Sequence, residues 1–411
     1  MKVNGIIAEY NPFHNGHKYH LEETARLTGA DYSIVVLSGN FIQRGDPALV
    51  DKHTRAEMAL KNGADLVLEL PTVYSASSAE YFATGAVSLL DKLGVVTHLC
   101  FGSECGDVAI LQQIASILRE EPEDYARELK AKMKQGLSYP SARNAALIHY
   151  FPAMAGNTKI LSSPNNILAI AYIKAILNLD SKMVPVAVTR LGSDYHDPSL
   201  YSQYCSALAI RQALSDGRGL SSVARYMPDS AGELLSQRLV LGRGIFSNDF
   251  SSALYYKLLS EKETGFDKYL DVSTDLSNRI CNRLSEYKNF DDFCDLLKTK
   301  ELTYTRISRC LLHILLNLTK EDMAVCSELE HTPYARILGF RRDAEPLLAA
   351  IKEQTSIPLV TKLADAEKLL STDTYLMLKQ DLQISQLYYG VAAGLAGQQP
   401  LNEYSIPLVI V

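Results

Sequence analysis

The chain has 411 residues, 47% of them apolar, and 41 Lys plus Arg against 47 Asp plus Glu for a formal net charge of −6. That is enough chain for a large core or for two to three domains, and the balance excludes a collagen-like or disordered polymer. Absence of any window of about 18 apolar residues leaves no membrane-spanning helix to assign, so a cytoplasmic location with no membrane partner is expected.

Seven cysteines, Cys100, Cys105, Cys205, Cys281, Cys294, Cys310 and Cys326, make no CxxC pair and no Cys/His ligand spacing. Neither structural zinc nor a disulfide framework is expected. The acidic total speaks only weakly against nucleic acid, because basic residues can gather on one face.

In chain order, Val3 and Ile6 to Ala8 predict a short buried strand ended by Asn11-Pro12. A helix from about His17 to Leu27 follows, with Leu21 and Ala25 on one face. Gly16 lets backbone approach a ligand where a Cβ would intrude, and the unpaired N–H groups of a helix start attract anions. Strands are predicted again at residues 31–39, 65–71 and 95–102, separated by helices over 52–62 and through Phe82, Ala86 and Leu89. This alternation predicts an α/β fold, a Rossmann-like parallel sheet with ligands outside the carboxyl ends of its strands. The His14-Asn15-Gly16-His17, Ser38-Gly39 and Phe101-Gly102-Ser103 turns all fall at that edge.

Residues 108–150 read as a charged helical insertion. Ser163-Pro164-Asn165-Asn166 opens an apolar helix, residues 183–188 form a further strand ending at Thr189-Arg190, and Ser206 is the expected N-cap of a helix carrying Arg211. From about residue 236 the period is helical, with stripes Leu254, Leu258 and Leu259; Leu276, Ile280 and Leu284; Phe290, Phe293 and Leu297; and Ile307, Leu311, Leu312, Leu315 and Leu316 expected as core. Opposite them stand Arg279, Arg283, Lys288, Lys298, Lys300, Arg306 and Arg309, interleaved with Tyr287 and Tyr304. That distribution suits phosphate contacts and base stacking, with a solvated helix face as the plain alternative. A small α/β segment over 334–362 adds Arg336, Arg341 and Arg342. The expected division is an α/β domain over 1–235, carrying the phosphate-site turns, and a mainly helical region over 236–411.

The chain has neither a G-x-x-x-x-G-K-[ST] loop nor a G-x-G-x-x-G fingerprint, so P-loop and dinucleotide chemistry lack support. In a first strand-to-helix turn, His14 and His17 suit hydrogen bonds to phosphate oxygens whose charge grows as a nucleophile attacks the α-phosphorus. Arg211 would hold the departing pyrophosphate through its planar guanidinium. The rival readings are structural histidines and a solvated arginine. The loop over 38–55 carries Arg44, Lys52 and Arg55 and is expected to contribute to the site. Glu9 and Asp46 stay open as magnesium or acid/base carboxylates, or as partners of neighbouring bases.

Phe13-His14-Asn15-Gly16-His17 together with Cys205-Ser206-Ala207-Leu208-Ala209-Ile210-Arg211 resembles the HIGH-motif nucleotidyltransferase superfamily, although Cys205 and Ala207 stand where Ile and Ser are commoner. More narrowly, the segments 6–17, 38–48 and 52–60 resemble the bacterial tRNA(Met) cytidine acetate ligase family. Further matches are Phe101-Gly102-Ser103-Glu104, Ser163-Pro164-Asn165-Asn166-Ile167-Leu168 and Tyr334-Ala335-Arg336-Ile337-Leu338-Gly339-Phe340. The resemblance implies a ligase that joins acetate to ATP as acetyl-adenylate and acetylates the exocyclic amine of the wobble cytidine of elongator tRNA(Met), with a nucleotidyltransferase-like catalytic domain over 1–235 and a tRNA-binding region over 236–411.

It further implies an ATP site made of Ile7, Ala8, Glu9, Tyr10, Asn11, Pro12, Phe13, His14, Asn15, Gly16, His17, Lys18, Tyr19 and His20, with Gly102, Asn165 and Arg190. A turn glycine, a helix cap and a strand-end charge are the plain alternatives for the last three. Arg44, Lys52, Arg306, Arg309 and Arg336 are the expected tRNA contacts. ATP is expected to come with Mg2+, with no protein-held metal, and a homo-oligomer is left open. The competing functions are a small-molecule adenylyltransferase or carboxylate-activating ligase, and a non-catalytic RNA-binding factor with a regulatory nucleotide site.

Overall fold

A computed structural model describes residues 1–151, 158–190, 204–239 and 244–411. Its strands are β1 (Val3–Ala8), β2 (Tyr32–Ser38), β3 (Leu66–Leu70), β4 (His98–Ser103), β5 (Val184–Thr189), β6 (Ala335–Phe340), β7 (Leu359–Val360) and β8 (Val409–Ile410). They form one sheet in the order β5-β4-β1-β2-β3-β6-β7, with β8 pairing β6. The first five are parallel to one another. Helices cover both faces, which is why β2 and β3 carry near-continuous buried runs instead of alternating ones. The chain winds outward from β1 to β2 and β3, then returns to place β4 on the other side of β1. The crevice beyond the carboxyl ends of β1 and β4 is therefore the switch point of the sheet, where α/β folds bind ligands.

The alternation read from the sequence is present, with helices Asn15–Thr28, Lys52–Leu60, Ala79–Lys92 and Pro164–Asn178 between the strands. Helices Val108–Glu120, Glu123–Lys134 and Tyr139–Tyr150 make the insertion between β4 and β5. Residues 334–362 do more than form a small separate segment. β6 runs antiparallel to β3, pairing Leu68 with Ile337 and Glu69 with Arg336, so the end of the chain extends the sheet of the first half. Local periodicity names a strand but not the edge it will join.

Helices Ser251–Glu261, Thr274–Arg283, Phe290–Leu297 and Tyr304–Leu316 carry the expected apolar stripes, and these are buried except for Leu259, which is 55% exposed. Leu254 and Leu258, four residues apart, already fill the inward face, and the next position turns outward. The loop over 39–51 is packed against this helical half. Gly45 sits at φ +84°, and a Cβ there would lie 2.4 Å from the Arg309 backbone nitrogen. Ser308 Oγ donates to the Gly45 carbonyl at 2.8 Å, and Tyr388, from the helix Thr372–Ala396, donates to the Ala48 carbonyl at 2.8 Å.

Candidate active site at the carboxyl edge of β1 and β4

The turn after β1 builds two aligned donors. His14 is the N-cap of Asn15–Thr28, and its Nδ1 accepts the Gly16 N–H at 3.0 Å. His17 Nδ1 accepts the His14 N–H at 3.2 Å. The two rings stack with centroids 3.7 Å apart. Because a backbone N–H can only donate, each Nδ1 is an acceptor, and each neutral ring carries its proton on Nε2. Burial, helped by the charge of Arg190, pushes His14 down to about 3 and His17 well below the ordinary histidine range. At neutral pH both are uncharged N–H donors. A Cβ on Gly16 would come within 2.8 Å of His14 Cε1, so only glycine leaves that ring its place. Behind it, Tyr10 packs on Phe13 and His17 with centroids 4.8 Å away in each case.

The pocket in front of these rings is lined by Ile7 to Asn11, His14, Gly16, His17, Tyr19 and His20, and by Gly102, Asn165, Arg190 and Arg211. Four residues of the expected segment stand outside it. Pro12 and Phe13 are buried beneath the turn, Asn15 donates to the Arg225 carbonyl at 3.1 Å, and Lys18 is exposed beside Glu22 at 3.9 Å.

One wall joins two motifs that lie about sixty residues apart. Glu104 Oε1 accepts the Asn165 backbone N–H at 3.1 Å and its side-chain amide at 2.7 Å, while Oε2 accepts the Asn166 N–H at 2.9 Å. Glu104 therefore caps the start of Pro164–Asn178, where its charge complements the helix dipole. Asn166 Oδ1 in return accepts from Ser103 Oγ at 2.7 Å, and Asn165 Oδ1 accepts from Arg190 Nη1 at 3.4 Å. Asn165 is thus a link to Arg190 and not the N-cap, which is Ser163. Glu104 and Asn166 position this wall. Both lie in segments quoted above, but nothing in one sequence says that the segments bond to each other. His20 completes the wall, with its ring pushed down to about 4 by burial and by Arg190, a bond to the Phe101 carbonyl, and Nε2 buried without a partner.

The opposite wall comes from the loop after β2. Glu9 Oε1 accepts the Gln43 N–H at 3.0 Å, and burial raises its carboxyl above the usual range against the pull of Arg44 and Arg211. Arg211 Nη2 reaches Asp46 Oδ2 at 3.1 Å, and Ser247 Oγ donates to Asp46 Oδ1 at 3.0 Å. Ser206 caps the helix of Arg211 as expected, accepting from Ala209 N at 3.1 Å. Arg55 lies fully buried under the loop. It donates to the carbonyls of Glu9 at 2.6 Å, Ser38 at 3.0 Å and Val50 at 3.1 Å, and also to that of Gly39, which ties together the ends of β1 and β2.

Two expected tRNA contacts are corrected by burial. Lys52 Nζ lies 2.6 Å from both Glu69 and Glu403, and Arg336 Nη1 lies 2.8 Å from the same two carboxylates. Lys52 is fully buried and Arg336 is 4% exposed, so this closed ring of two cations and two anions offers no charge to RNA. Arg306 is exposed and makes no ion pair among the described residues, while Arg309 lies 3.7 Å from Asp271. Tyr287 and Tyr304 are engaged internally, with their hydroxyls on the Ser251 carbonyl and on Asp291, both at 2.8 Å. Arg283 and Lys298 are each paired with an acid one turn away, at 2.6 Å. Among the described residues no group of three His, Cys, Asp or Glu could hold a metal ion.

Comparison with known proteins agrees with this geometry. A family model described as HIGH Nucleotidyl Transferase matches residues 1–401. The tRNA(Met) cytidine acetate ligase of Acetivibrio thermocellus is 43% identical over 391 residues, covering 93% of each chain. That of Caldanaerobacter subterraneus subsp. tengcongensis is 41% identical over 402 residues, covering 94% of this chain and 98% of its own. Among solved structures, Thermotoga maritima TmcAL in its apo form superposes with a TM-score of 0.93 at 33% identity, and the same protein bound with alpha-thio ATP with 0.91 at 32%, each over the full length of both chains. With its donor pair at the first strand-to-helix turn and relatives matched along most of its length, the chain belongs to the HIGH nucleotidyl transferases and, within them, to the tRNA(Met) cytidine acetate ligase family.

Proposed function

We propose that this protein is an ATP-dependent ligase that activates acetate as acetyl-adenylate and transfers the acetyl group to the exocyclic amine of the wobble cytidine of elongator tRNA(Met). The observation that carries the reading is the pair of uncharged Nε2–H donors on His14 and His17, facing one pocket with Arg190 and Arg211. Donors fixed before reaction stabilise charge that develops on phosphate without reorganising. In the first step an acetate oxygen attacks the α-phosphorus and pyrophosphate leaves. His14 and His17 donate to the oxygens that gain charge, while Arg211, steadied by Asp46, meets the leaving group. Arg190, held by Asn165, lies on the nucleotide side with Gly102. In the second step the cytidine amine attacks the acetyl carbonyl and AMP departs.

Magnesium fits as an ion carried in on the triphosphate, which needs few protein ligands. Glu9 is the carboxylate that lines the pocket among the described residues. The site offers no ready-made cage, and no step above is routed through a metal. Arg306 and Arg309, on the helical half that touches the loop over 39–51, are the side chains we assign to tRNA phosphate, and Arg44 stays with them at the pocket edge. No described helix is long and apolar enough to cross a membrane, and we read the location as cytoplasmic.

Incubation with ATP, labelled acetate and total tRNA tests the proposal. Label in tRNA(Met) is expected. Acyl-AMP formed without labelling of RNA would favour a carboxylate-activating enzyme, and no turnover at all would favour a binding factor.

A further inference from the structure

Transfer of acetyl to an aromatic amine leaves a proton to be removed, because the nitrogen that bonds to the carbonyl becomes cationic as the tetrahedral adduct forms. The pocket supplies few groups able to take it. His14 and His17 have both Nδ1 atoms occupied and present only N–H into the pocket. His20 stands on the Arg190 wall, with its basicity pushed down to about 4. Arg190 and Arg211 are permanent cations.

Glu9 is different in three ways. It lines the pocket, it has one oxygen fixed by the Gln43 N–H at 3.0 Å, and burial raises its carboxyl above the ordinary range. A carboxylate with a raised pKa is better matched to accepting a proton near neutral pH than an exposed one. The charged and titratable groups around it come from several elements. Arg44 and Asp46 belong to the loop after β2, Arg211 to the helix after Ser206, Arg55 to Lys52–Leu60, and Tyr172 to Pro164–Asn178. Its place in the fold points the same way. Glu9 is bonded to the loop whose tip, Gly45, is seated on Ser308 and Arg309 of the helical half, the side from which we expect the tRNA to approach.

We infer that the Glu9 carboxylate is the proton acceptor for the cytidine amine, which makes it a catalytic residue of the transfer half of the reaction. This rests on the ligase reading above. The amine nitrogen forms its bond to the acetyl carbon and the bond from that carbon to the bridging oxygen breaks. AMP leaves with the electron pair, and the amine proton passes to the free oxygen of Glu9 and then to water.

The two half-reactions separate the claims. Acetate-dependent ATP–pyrophosphate exchange reads adenylate formation, and single-turnover labelling of tRNA from preformed enzyme-bound acetyl-adenylate reads transfer. Glu9→Gln keeps an oxygen for the Gln43 N–H. Transfer is expected to fall by roughly 10²–10⁴-fold, the usual contribution of a positioned base, and by distinctly more than exchange, which reads any effect of the substitution on the nucleotide pocket. The wild-type transfer rate is expected to drop as pH falls through the raised pKa of Glu9, and Glu9→Gln to lose that acid limb while Glu9→Asp keeps it. Equal losses in both half-reactions, or an unchanged acid limb in Glu9→Gln, would overturn the inference. Absence of labelled tRNA with the wild-type protein would overturn the ligase reading itself.

Discussion

His14 and His17 owe their chemistry to which of their nitrogens the backbone occupies. Removing one preorganised donor from an oxyanion-type site costs on the order of 10²–10³ in turnover, so His14→Ala and His17→Ala should each lower acetate-dependent pyrophosphate exchange by about that much. The expected readout is a loss in kcat far larger than the modest drop in thermal midpoint that follows from losing the His14 cap and the stacked ring pair. Gly16→Ala should act through the same atom, because its Cβ would press on His14 Cε1 at 2.8 Å. It should cost activity while leaving the helix Asn15–Thr28 intact by circular dichroism. The histidine motif was legible in the sequence as a phosphate-site candidate. The direction of each ring was not, since it depends on two backbone bonds closed only when the helix forms.

Between elements, the buried ring of Lys52, Glu69, Arg336 and Glu403 fastens β3, β6 and the helix Lys52–Leu60 to the residues before β8. Its charges are compensated only while all four members are present. Lys52→Met should destabilise the fold by about 3–5 kcal/mol in urea titrations, and the folded fraction should bind tRNA with wild-type affinity. A tRNA defect without a stability defect would restore Lys52 to the RNA surface. Gly45→Ala meets both a left-handed backbone and the Arg309 nitrogen at 2.4 Å. It should cost about 1–3 kcal/mol and loosen the loop that carries Gln43 and Arg44. The sequence reading expected this loop to contribute to the site and did not foresee a packed seam, because Lys52 and Arg55 look solvated until their carboxylate and carbonyl partners are brought in from elsewhere.

Across the whole molecule, buried histidines set the response to acid. His14 is pushed down to about 3, and His20 and His53 to about 4, each mainly by burial. Once unfolded, each would take up a proton near its ordinary value of about 6.5. Below that pH these rings bind more protons in the unfolded chain than in the folded one, so their contribution lowers stability as pH falls from about 6.5 toward 4, against the opposite and smaller contribution of the buried Asp381 carboxyl, raised to about 6. Urea midpoints at pH 7 and pH 5 should show this loss, and a flat profile would contradict the assignment of these rings as neutral.

tRNA binding is also a property of the assembled molecule. Arg306→Glu should weaken tRNA affinity and flatten its salt dependence without reducing tRNA-independent pyrophosphate exchange, as checked by filter binding across a salt series. The order of strands and helices through β5, the HIGH-type turn, the N-cap at Ser206 and most apolar stripes of the helical half follow from the sequence alone, because they depend on neighbours within a few residues. Tertiary structure alone decided that β6 joins β3, that Glu104 bonds Asn165, that Lys52 and Arg336 are internal, and that one Glu9 oxygen is held by the Gln43 N–H. Each of these depends on pairings between residues tens to hundreds of positions apart, and a buried charge can be told from a solvated one only when its partners are in place.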